Sequence, residues 1–217
     1  MFDIGGVFAF PDGDRMAREL NSAIDFIGDA ESCRKSFAVA DETIWSGPLQ
    51  WSEQLMRDTW GEFLGLDRGS YEKAWSLIGA LDEETPLWND WPKSSIDFLA
   101  KLSGQGYAIA ALSNADGRLA EDLERHGLLE CFDVVIDSEV EGVRKPDAEA
   151  YELAAQRLGV KVEESLFIGD SGWELSAALE AGLFGAVWFS PYITDSGRWP
   201  YSFTDLDGLY QHIIGLR

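Results

Sequence analysis

The second part of the chain alternates between buried strands and amphipathic helices. From residue 94, apolar residues at helical spacing lead into the continuous apolar run 107–112 (YAIAAL), which is typical of a strand buried on both faces. Further strands alternate with helices that each end before a glycine: strands at 132–136, 166–168 and 184–189, helices at 116–126, 147–158 and 173–181. This alternation, with short connections, predicts a Rossmann-like α/β core, a parallel sheet with helices on both faces.

Residues 12–90 lack this alternation. Apolar residues fall at helical spacing in 14–28, 51–64 and 71–80, and no strand pattern interrupts them. We therefore expect a small all-helical cap domain at 12–90, inserted into a core made of 1–11 and 91–217. Six of the nine tryptophans lie in 45–91, and we interpret most of them as core packing, with one or two as lining of a substrate pocket. The segment 191–217 is predicted to form a loop and a last helix.

The acidity of the chain limits its partners. The formal charge of −22 repels nucleic acid and anionic membranes, so we expect neither as a partner. It would also repel a phosphorylated substrate unless the site holds a metal and local cations. No apolar run approaches the ~20 residues of a membrane helix, and no signal segment is recognisable. Cys33 and Cys131 are interpreted as idle thiols of a cytoplasmic protein, with a disulfide as the alternative.

The residues that follow the predicted strands carry the chemistry. They are Asp3, the pair Ser113-Asn114, Lys145 and Asp170. In open parallel sheets ligands bind at the carboxyl ends of the strands, where these side chains would meet. Carboxylates supply the oxygen ligands of Mg²⁺, and an amine and a hydroxyl can hold phosphoryl oxygens. A carboxylate in that setting can act as a nucleophile and form an aspartyl-phosphate.

Four short strings resemble the motifs of one family, the haloacid dehalogenase-like hydrolases. In order they are FDIGGV at 2–7, LSN at 112–114, KPD at 145–147 followed by Tyr151, and IGDS at 168–171 followed by Glu174. They are similar to motifs I to IV of that family, and the resemblance covers the whole chain, including a helical cap inserted after motif I. Each string alone is weak, whereas four in this order and context are specific.

The resemblance implies roles for the residues at the reacting centre. Asp3 would be the nucleophile, and Ser113 would bind the transferring phosphoryl group with Asn114 alongside. Lys145 would bridge the nucleophile and the phosphate, and Gly6 would contribute to substrate binding. By this resemblance the chain is a phosphatase of small phosphorylated metabolites that works through an aspartyl-phosphate.

The resemblance also implies Mg²⁺ as the cofactor. Asp3 and the backbone carbonyl of Gly5 would be ligands, and Asp170 would bind the metal directly. Glu174 stands where a second acid of motif IV usually lies, commonly an aspartate, and would act through a metal-bound water.

The sequence departs from the family's pattern near the nucleophile. Most phosphatases of the family carry a second aspartate at the position of Gly5 as general acid and base, a role typically worth ~10²–10⁴ in rate. His126, at a helix end before Gly127, is predicted to be structural, and His212 lies in the C-terminal tail, so both are poor replacements for it. Only Met1 and Phe2 precede Asp3, fewer than the roughly five or six residues of a typical strand. Either this strand is short or the natural chain starts upstream.

Two other functions remain open. A haloacid dehalogenase, which works without metal, would also use Asp3, Ser113-Asn114 and Lys145, although the acidic string around Asp170 argues against it. A non-enzymatic regulatory relative is the second alternative, because Gly5 cannot transfer a proton. No G-x-S-x-G or G-x-x-x-x-G-K-[ST] string occurs. Oligomeric state is not predicted. In the cap, composition alone suggests the following side chains as selectors of substrate: Arg15, Arg18, Trp45, Arg57 and Trp60.

Overall fold

The computed structural model describes residues 1–24, 26–47, 52–193 and 197–216, apart from the side chain of Glu84. The chain divides into two compact units. One, the α/β unit, comprises Met1–Phe8 and Trp91–Arg217, and the other, the helical unit, comprises Ala9–Asp90. The role of residues 12–90 as a cap stays a prediction.

In its described residues, the helical unit contains four α-helices and a short antiparallel ribbon. The elements in chain order are β1 (Phe10–Pro11), α1 (Gly13–Ile24), α2 (Ala30–Ser46), α3 (Glu53–Phe63), a 3₁₀ turn (Arg68–Ser70), α4 (Tyr71–Glu84) and β2 (Trp88–Asp90). Helices were predicted near α1, α3 and α4, whereas α2 and the ribbon were not. Trp51, in the predicted helix 51–64, lies outside the described residues.

Side-chain packing holds the helical unit together. Trp60 is fully buried, its ring lies 5.8 Å from that of Phe37 and 5.4 Å from that of Trp75, and its Nε1 donates to Ser36 Oγ at 2.8 Å. Trp88 lies 5.7 Å from Phe37 on the same cluster. Most tryptophans of this region that the structure describes therefore pack with other aromatic rings, as predicted.

The α/β unit alternates strands and helices. Its strands are β3 (Ala110–Ser113), β4 (Val134–Asp137), β5 (Leu166–Gly169), β6 (Gly185–Phe189) and β7 (Ser202–Phe203). Its helices are α5 (Ser94–Gly104), α6 (Leu119–Arg125), α7 (Ser138–Glu141), α8 (Ala148–Leu158), α9 (Gly172–Glu180) and α10 (Leu206–Gly215), with 3₁₀ turns at Leu129–Cys131 and Val162–Glu164. Within the described residues, no helix is both long and apolar enough to span a bilayer.

The strands of the α/β unit form a parallel sheet. β3 pairs with β4, and β5 pairs with β6, which pairs with β7, all in parallel. Phe2 forms parallel bridges to Ala111 and to Ile168, so the segment around it joins β3 to β5. The order across the sheet is therefore β4, β3, the segment around Phe2, β5, β6 and β7. This arrangement confirms the predicted α/β class.

The core of this unit lies between the sheet and its helices. Strand residues such as Leu112, Phe167 and Trp188 pack with Tyr151 of α8 and Leu175 of α9, and all five are almost fully buried. Burying a large apolar side chain stabilises a fold by roughly 1.5–3 kcal/mol. The sheet that carries the predicted site residues is thus anchored by the continuous apolar runs from which it was predicted.

Candidate functional site

Asp3 lies in the middle of the parallel sheet. Phe2 N donates to Ala110 O at 2.8 Å, and Asp3 N donates to Ile168 O at 2.9 Å, so Asp3 is fixed between β3 and β5. Its side chain is largely buried, although a carboxylate is costly to bury unless it is paired. The backbone pairing of residues 1–3 therefore places the predicted nucleophile beside the carboxyl ends of both neighbouring strands.

Lys145 provides the charge that pairs with Asp3. Its side chain is 1% exposed, and its Nζ lies 2.7 Å from Asp3 Oδ1 and 2.7 Å from Glu174 Oε2. Burial lowers the pKa of Lys145, but the charges of Asp3 and Glu174 together raise it above its ordinary value. The amine is therefore protonated at neutral pH. Ile4 N also donates to Asp3 Oδ1, at 2.7 Å.

Glu174 extends this ion pair to three groups. Burial raises the pKa of Glu174, Lys145 lowers it, and Asp3 raises it further, with a net upward shift. Tyr151, whose pKa burial also raises, donates its hydroxyl to Glu174 O at 2.8 Å. The sequence predicted that Glu174 acts through a metal-bound water. That role stays a prediction, and in the structure its carboxylate is bonded to Lys145.

Asp170 lies against the backbone of Gly6. A Cβ added at Gly6 would be 1.8 Å from Asp170 Oδ2, and Gly6 has a φ of +74°. Both the space and the backbone conformation therefore require glycine at this position. Asp170 follows β5 directly, and Gly5, whose carbonyl is a predicted metal ligand, precedes Gly6. The sequence thus brings a second carboxylate to the strand end that carries Asp3.

Asp3, Asp170 and the Gly5 carbonyl are the metal ligands that the sequence predicts, and all three would offer oxygen donors, the kind that Mg²⁺ takes. In the described part of the chain, no three His, Cys, Asp or Glu side chains form a metal-ligand cluster. Mg²⁺ is usually bound through one or two carboxylates, with water and substrate phosphate completing the octahedron. Asp3, Asp170 and the Gly5 carbonyl match that pattern.

Asn114 holds the backbone of Lys145. Its Nδ2 donates to Lys145 O at 2.8 Å, and Lys145 N donates to its Oδ1 at 2.9 Å. The sequence predicted that Asn114 lies beside the phosphoryl group, next to Ser113, which ends β3. Both the oxygen and the nitrogen of the Asn114 amide bond to the Lys145 backbone. Asn114 therefore links the string at 112–114 to the string at 145–147.

Asp137, which was not among the site residues predicted from the sequence, ends β4 directly beside Ser113 in the register of the sheet. Asp137 as a whole is 5% exposed, and its carboxylate accepts hydrogen bonds from the backbone of Gly117, Leu119 and Glu139 at 3.0–3.1 Å. A signal was present, because Asp137 follows the predicted strand 132–136 just as Asp3, Ser113 and Asp170 follow theirs.

Several of the side chains suggested as selectors of substrate make contacts with other residues of the helical unit. Trp60 is fully buried in the aromatic cluster, so its prediction as a pocket residue is not supported. Arg15 donates to Leu81 O and Thr85 O, each at 2.8 Å. Arg57 pairs with two acids, Asp58 and Glu72, and Arg18 pairs with Glu19.

The chain is similar in sequence to known hydrolases. The family model described as haloacid dehalogenase-like hydrolase matches residues 1–182. The chain is 29% identical over 119 residues to an (S)-2-haloacid dehalogenase of Pseudomonas fluorescens, covering 54% of this chain and 49% of that protein. It is 32% identical over 127 residues to the GMP/IMP nucleotidase YrfG of Escherichia coli, covering 58% and 53%.

The likeness in structure extends further along the chain. A predicted phosphoglycolate phosphatase from Haemophilus somnus superposes with a TM-score of 0.63 at 18% identity, over 98% of this chain and 96% of that one. At this identity the likeness shows the fold alone. The chain spans about half the length of the two curated relatives above, whose names describe different reactions. The family match covers most of the chain, which therefore belongs to the haloacid dehalogenase-like hydrolases.

Proposed function

We propose that this hydrolase is a Mg²⁺-dependent phosphatase that acts on a small phosphorylated metabolite through an aspartyl-phosphate at Asp3. One observation carries the proposal: a buried carboxylate at the carboxyl edge of the sheet is paired with Lys145, 2.7 Å away, while Asp170 lies against the adjacent Gly6 backbone. A nucleophile, a fixed cation and a second carboxylate at one strand edge are what phosphoryl transfer to a carboxylate requires.

Asp3 would attack through Oδ2, because Ile4 N and Lys145 Nζ hold Oδ1. The new bond forms between Oδ2 and phosphorus while the ester P–O bond breaks, and the leaving oxygen takes a proton from solvent. Water then attacks phosphorus, which releases inorganic phosphate and restores the carboxylate. Lys145 would neutralise phosphoryl oxygens during both steps, and Ser113 and Gly6 would bind them.

Asp3, Asp170, the Gly5 carbonyl and, through water, Glu174 would hold the metal. Bound Mg²⁺ would reduce the repulsion between the Asp3 carboxylate and an anionic phosphate. This local positive charge matters because the chain as a whole carries a formal charge of −22. Lys145 contributes the other cation at the same place.

A second candidate is 2-haloacid dehalogenation, which Gly5 favours. A halide leaves without a proton, so the reaction does not need the acid that Gly5 cannot supply. Asp3 would attack the halogen-bearing carbon, the carbon–halogen bond would break, and water would hydrolyse the ester. One of the relatives above is named for this reaction.

The test is phosphate release from a panel of phosphorylated metabolites and halide release from 2-haloacids, each with Mg²⁺ and with EDTA. Wild type, Asp3→Asn and the exposed control Asp97→Asn are compared. Phosphate release that needs Mg²⁺, persists in Asp97→Asn and is absent in Asp3→Asn is expected. Metal-independent halide release would establish the second candidate instead. A folded wild type that releases neither product would contradict both and favour a regulatory relative.

A further inference from the structure

Asn114, which holds the backbone of Lys145, leads into a loop that is itself held by the end of β4. Ser113 and Asp137 are neighbours in the parallel register of β3 and β4. The loop 115–119 follows Ser113 and Asn114 and leads into α6. The loop therefore starts directly after the residue whose amide holds the Lys145 backbone.

Two consecutive side chains fix that loop. The Asp137 carboxylate accepts from Gly117 N with both oxygens, at 3.1 and 3.0 Å, and from Leu119 N at 3.1 Å. Ser138 Oγ accepts from Ala115 N and donates to Ala115 O, each at 3.1 Å. Residues 115, 117 and 119 are thus each hydrogen-bonded to Asp137, which ends β4, or to Ser138, which follows it.

We propose that Asp137 is a positioning residue for the reaction: it fixes the loop 115–119, and through that loop it aligns Asn114 and the backbone of Lys145. The chain of contacts runs from Asp137 to Gly117 and Leu119, along the backbone to Asn114, and through two amide hydrogen bonds to Lys145, whose Nζ meets Asp3. The effect on the reaction rests on the phosphatase proposed above.

The chemistry of Asp137 suits this role. A carboxylate only accepts hydrogen bonds, and its two oxygens can serve several backbone N–H groups at once. Asparagine has nearly the same shape, but its NH₂ group would face a backbone N–H. Asp137→Asn therefore loosens the loop without leaving a cavity, and a misplacement of about 1 Å can cost up to ~10²-fold in rate.

The first experiment compares Asp137→Asn with Asp205→Asn. Asp205 is a matched control, because it also accepts from a backbone amide, Gly208 N at 2.7 Å, at the start of a helix in the same unit. We expect Asp137→Asn to lower kcat about 10-fold or more with a smaller change in KM. Asp205→Asn keeps the wild-type kcat. Equal kcat values for the two variants, at equal melting temperatures, overturn the proposal.

A double-mutant cycle tests the route through Asn114. If Asp137 acts by aligning Asn114, then Asp137→Asn costs little more once Asn114→Ala has removed the amide. The two losses in kcat are then far from multiplicative. Multiplicative losses would mean that Asp137 affects the reaction by another path, and would contradict the proposal.

A third measurement does not depend on activity. Amide hydrogen exchange of Gly117, Leu119 and Lys145 reports the local opening of the loop and of the Asn114 contact. In Asp137→Asn all three amides exchange faster than in wild type, and in Asp205→Asn they do not. Unchanged exchange at Lys145 overturns the positioning role even where activity is seen. If the wild type hydrolyses no ester, the proposed phosphatase function is contradicted. The exchange rates still show whether Asp137 aligns the backbone of Lys145.

Discussion

Buried polar groups serve different ends in the two units of this chain. Among the described residues, the buried charged side chains Asp3, Asp137 and Lys145 all lie in the α/β unit. The buried polar side chain of the helical unit is Ser36, a neutral hydroxyl that bonds to Trp60 and to Cys33 O. Both units therefore bury aromatic rings, but among the described residues it is the α/β unit that also buries charged side chains, beside its strand ends.

This difference indicates where each unit is vulnerable. A buried ion pair adds little net stability, but removing one partner leaves an unpaired buried charge. A buried aromatic cluster stabilises through apolar area and fails through lost packing. Substitutions in the α/β unit should therefore act on chemistry and stability together, and those in the helical core on stability first.

The largest effect is expected at Lys145. Lys145→Met leaves the buried Asp3 and the partly buried Glu174 without their cation, so the free energy of unfolding should fall by about 3–5 kcal/mol. Activity should be lost as well. Urea unfolding in EDTA measures the first, and product release the second. Lys161→Met, at a side chain that is 71% exposed, should stay within about 0.5 kcal/mol of wild type. A stable Lys145→Met protein would remove the contrast between the units.

A smaller effect is expected at Ser36 in the helical core. Ser36→Ala leaves the Trp60 Nε1 donor buried without its acceptor, which should cost about 1–3 kcal/mol. The kcat of the folded protein should not change, because Ser36 belongs to the helical unit and the groups around Asp3 belong to the α/β unit. Thr43→Ala, which removes an exposed hydroxyl from the same helix, is the control. A fall in kcat with Ser36→Ala would show that a substitution in the helical core changes the reaction as well as stability, against the contrast drawn above.

The smallest effect is expected from removing the hydroxyl of Tyr151 or Tyr107, two tyrosines of the α/β unit. Tyr151 donates to Glu174 O at 2.8 Å, and Tyr107 donates to Ile213 O at 3.0 Å. Replacing either with phenylalanine should lower stability by about 0.5–1.5 kcal/mol. Only Tyr151→Phe should lower kcat, because it loosens the helix that carries Glu174 against Lys145. Steady-state kinetics and urea unfolding of both variants check this, and equal kcat values would argue against a role for Glu174 alignment.

The same contrast explains how much of the fold the sequence could predict. The strands of the α/β unit have continuous apolar runs, so β3 to β6 were expected within a few residues of their bounds. Helix α2 was missed because its buried positions include Cys33, Ser36 and Ala40, which give no strong apolar stripe. The ribbon and β7 are two or three residues long, too short to show any period.

The candidate site was predictable in composition but not in its bonds. Asp3, Lys145 and Asp170 could be identified because each follows a strand or stands in a recognisable string. The bond of Glu174 to Lys145 depends on the distance between α9 and the loop before α8, which no local pattern encodes. The role of Asn114 likewise depends on a backbone 31 residues away.

The position of Phe2 between β3 and β5 has a consequence for the order in which the protein assembles on the ribosome. The segment that carries Asp3 is made before its strand partners, which are residues around Ala111 and Ile168. Contacts so distant in sequence form slowly, and nascent chains grow at about 5–20 residues per second. The segment of the proposed nucleophile therefore cannot pair with both of its neighbours until the residues around Ile168 have been made, and the candidate site cannot form before then.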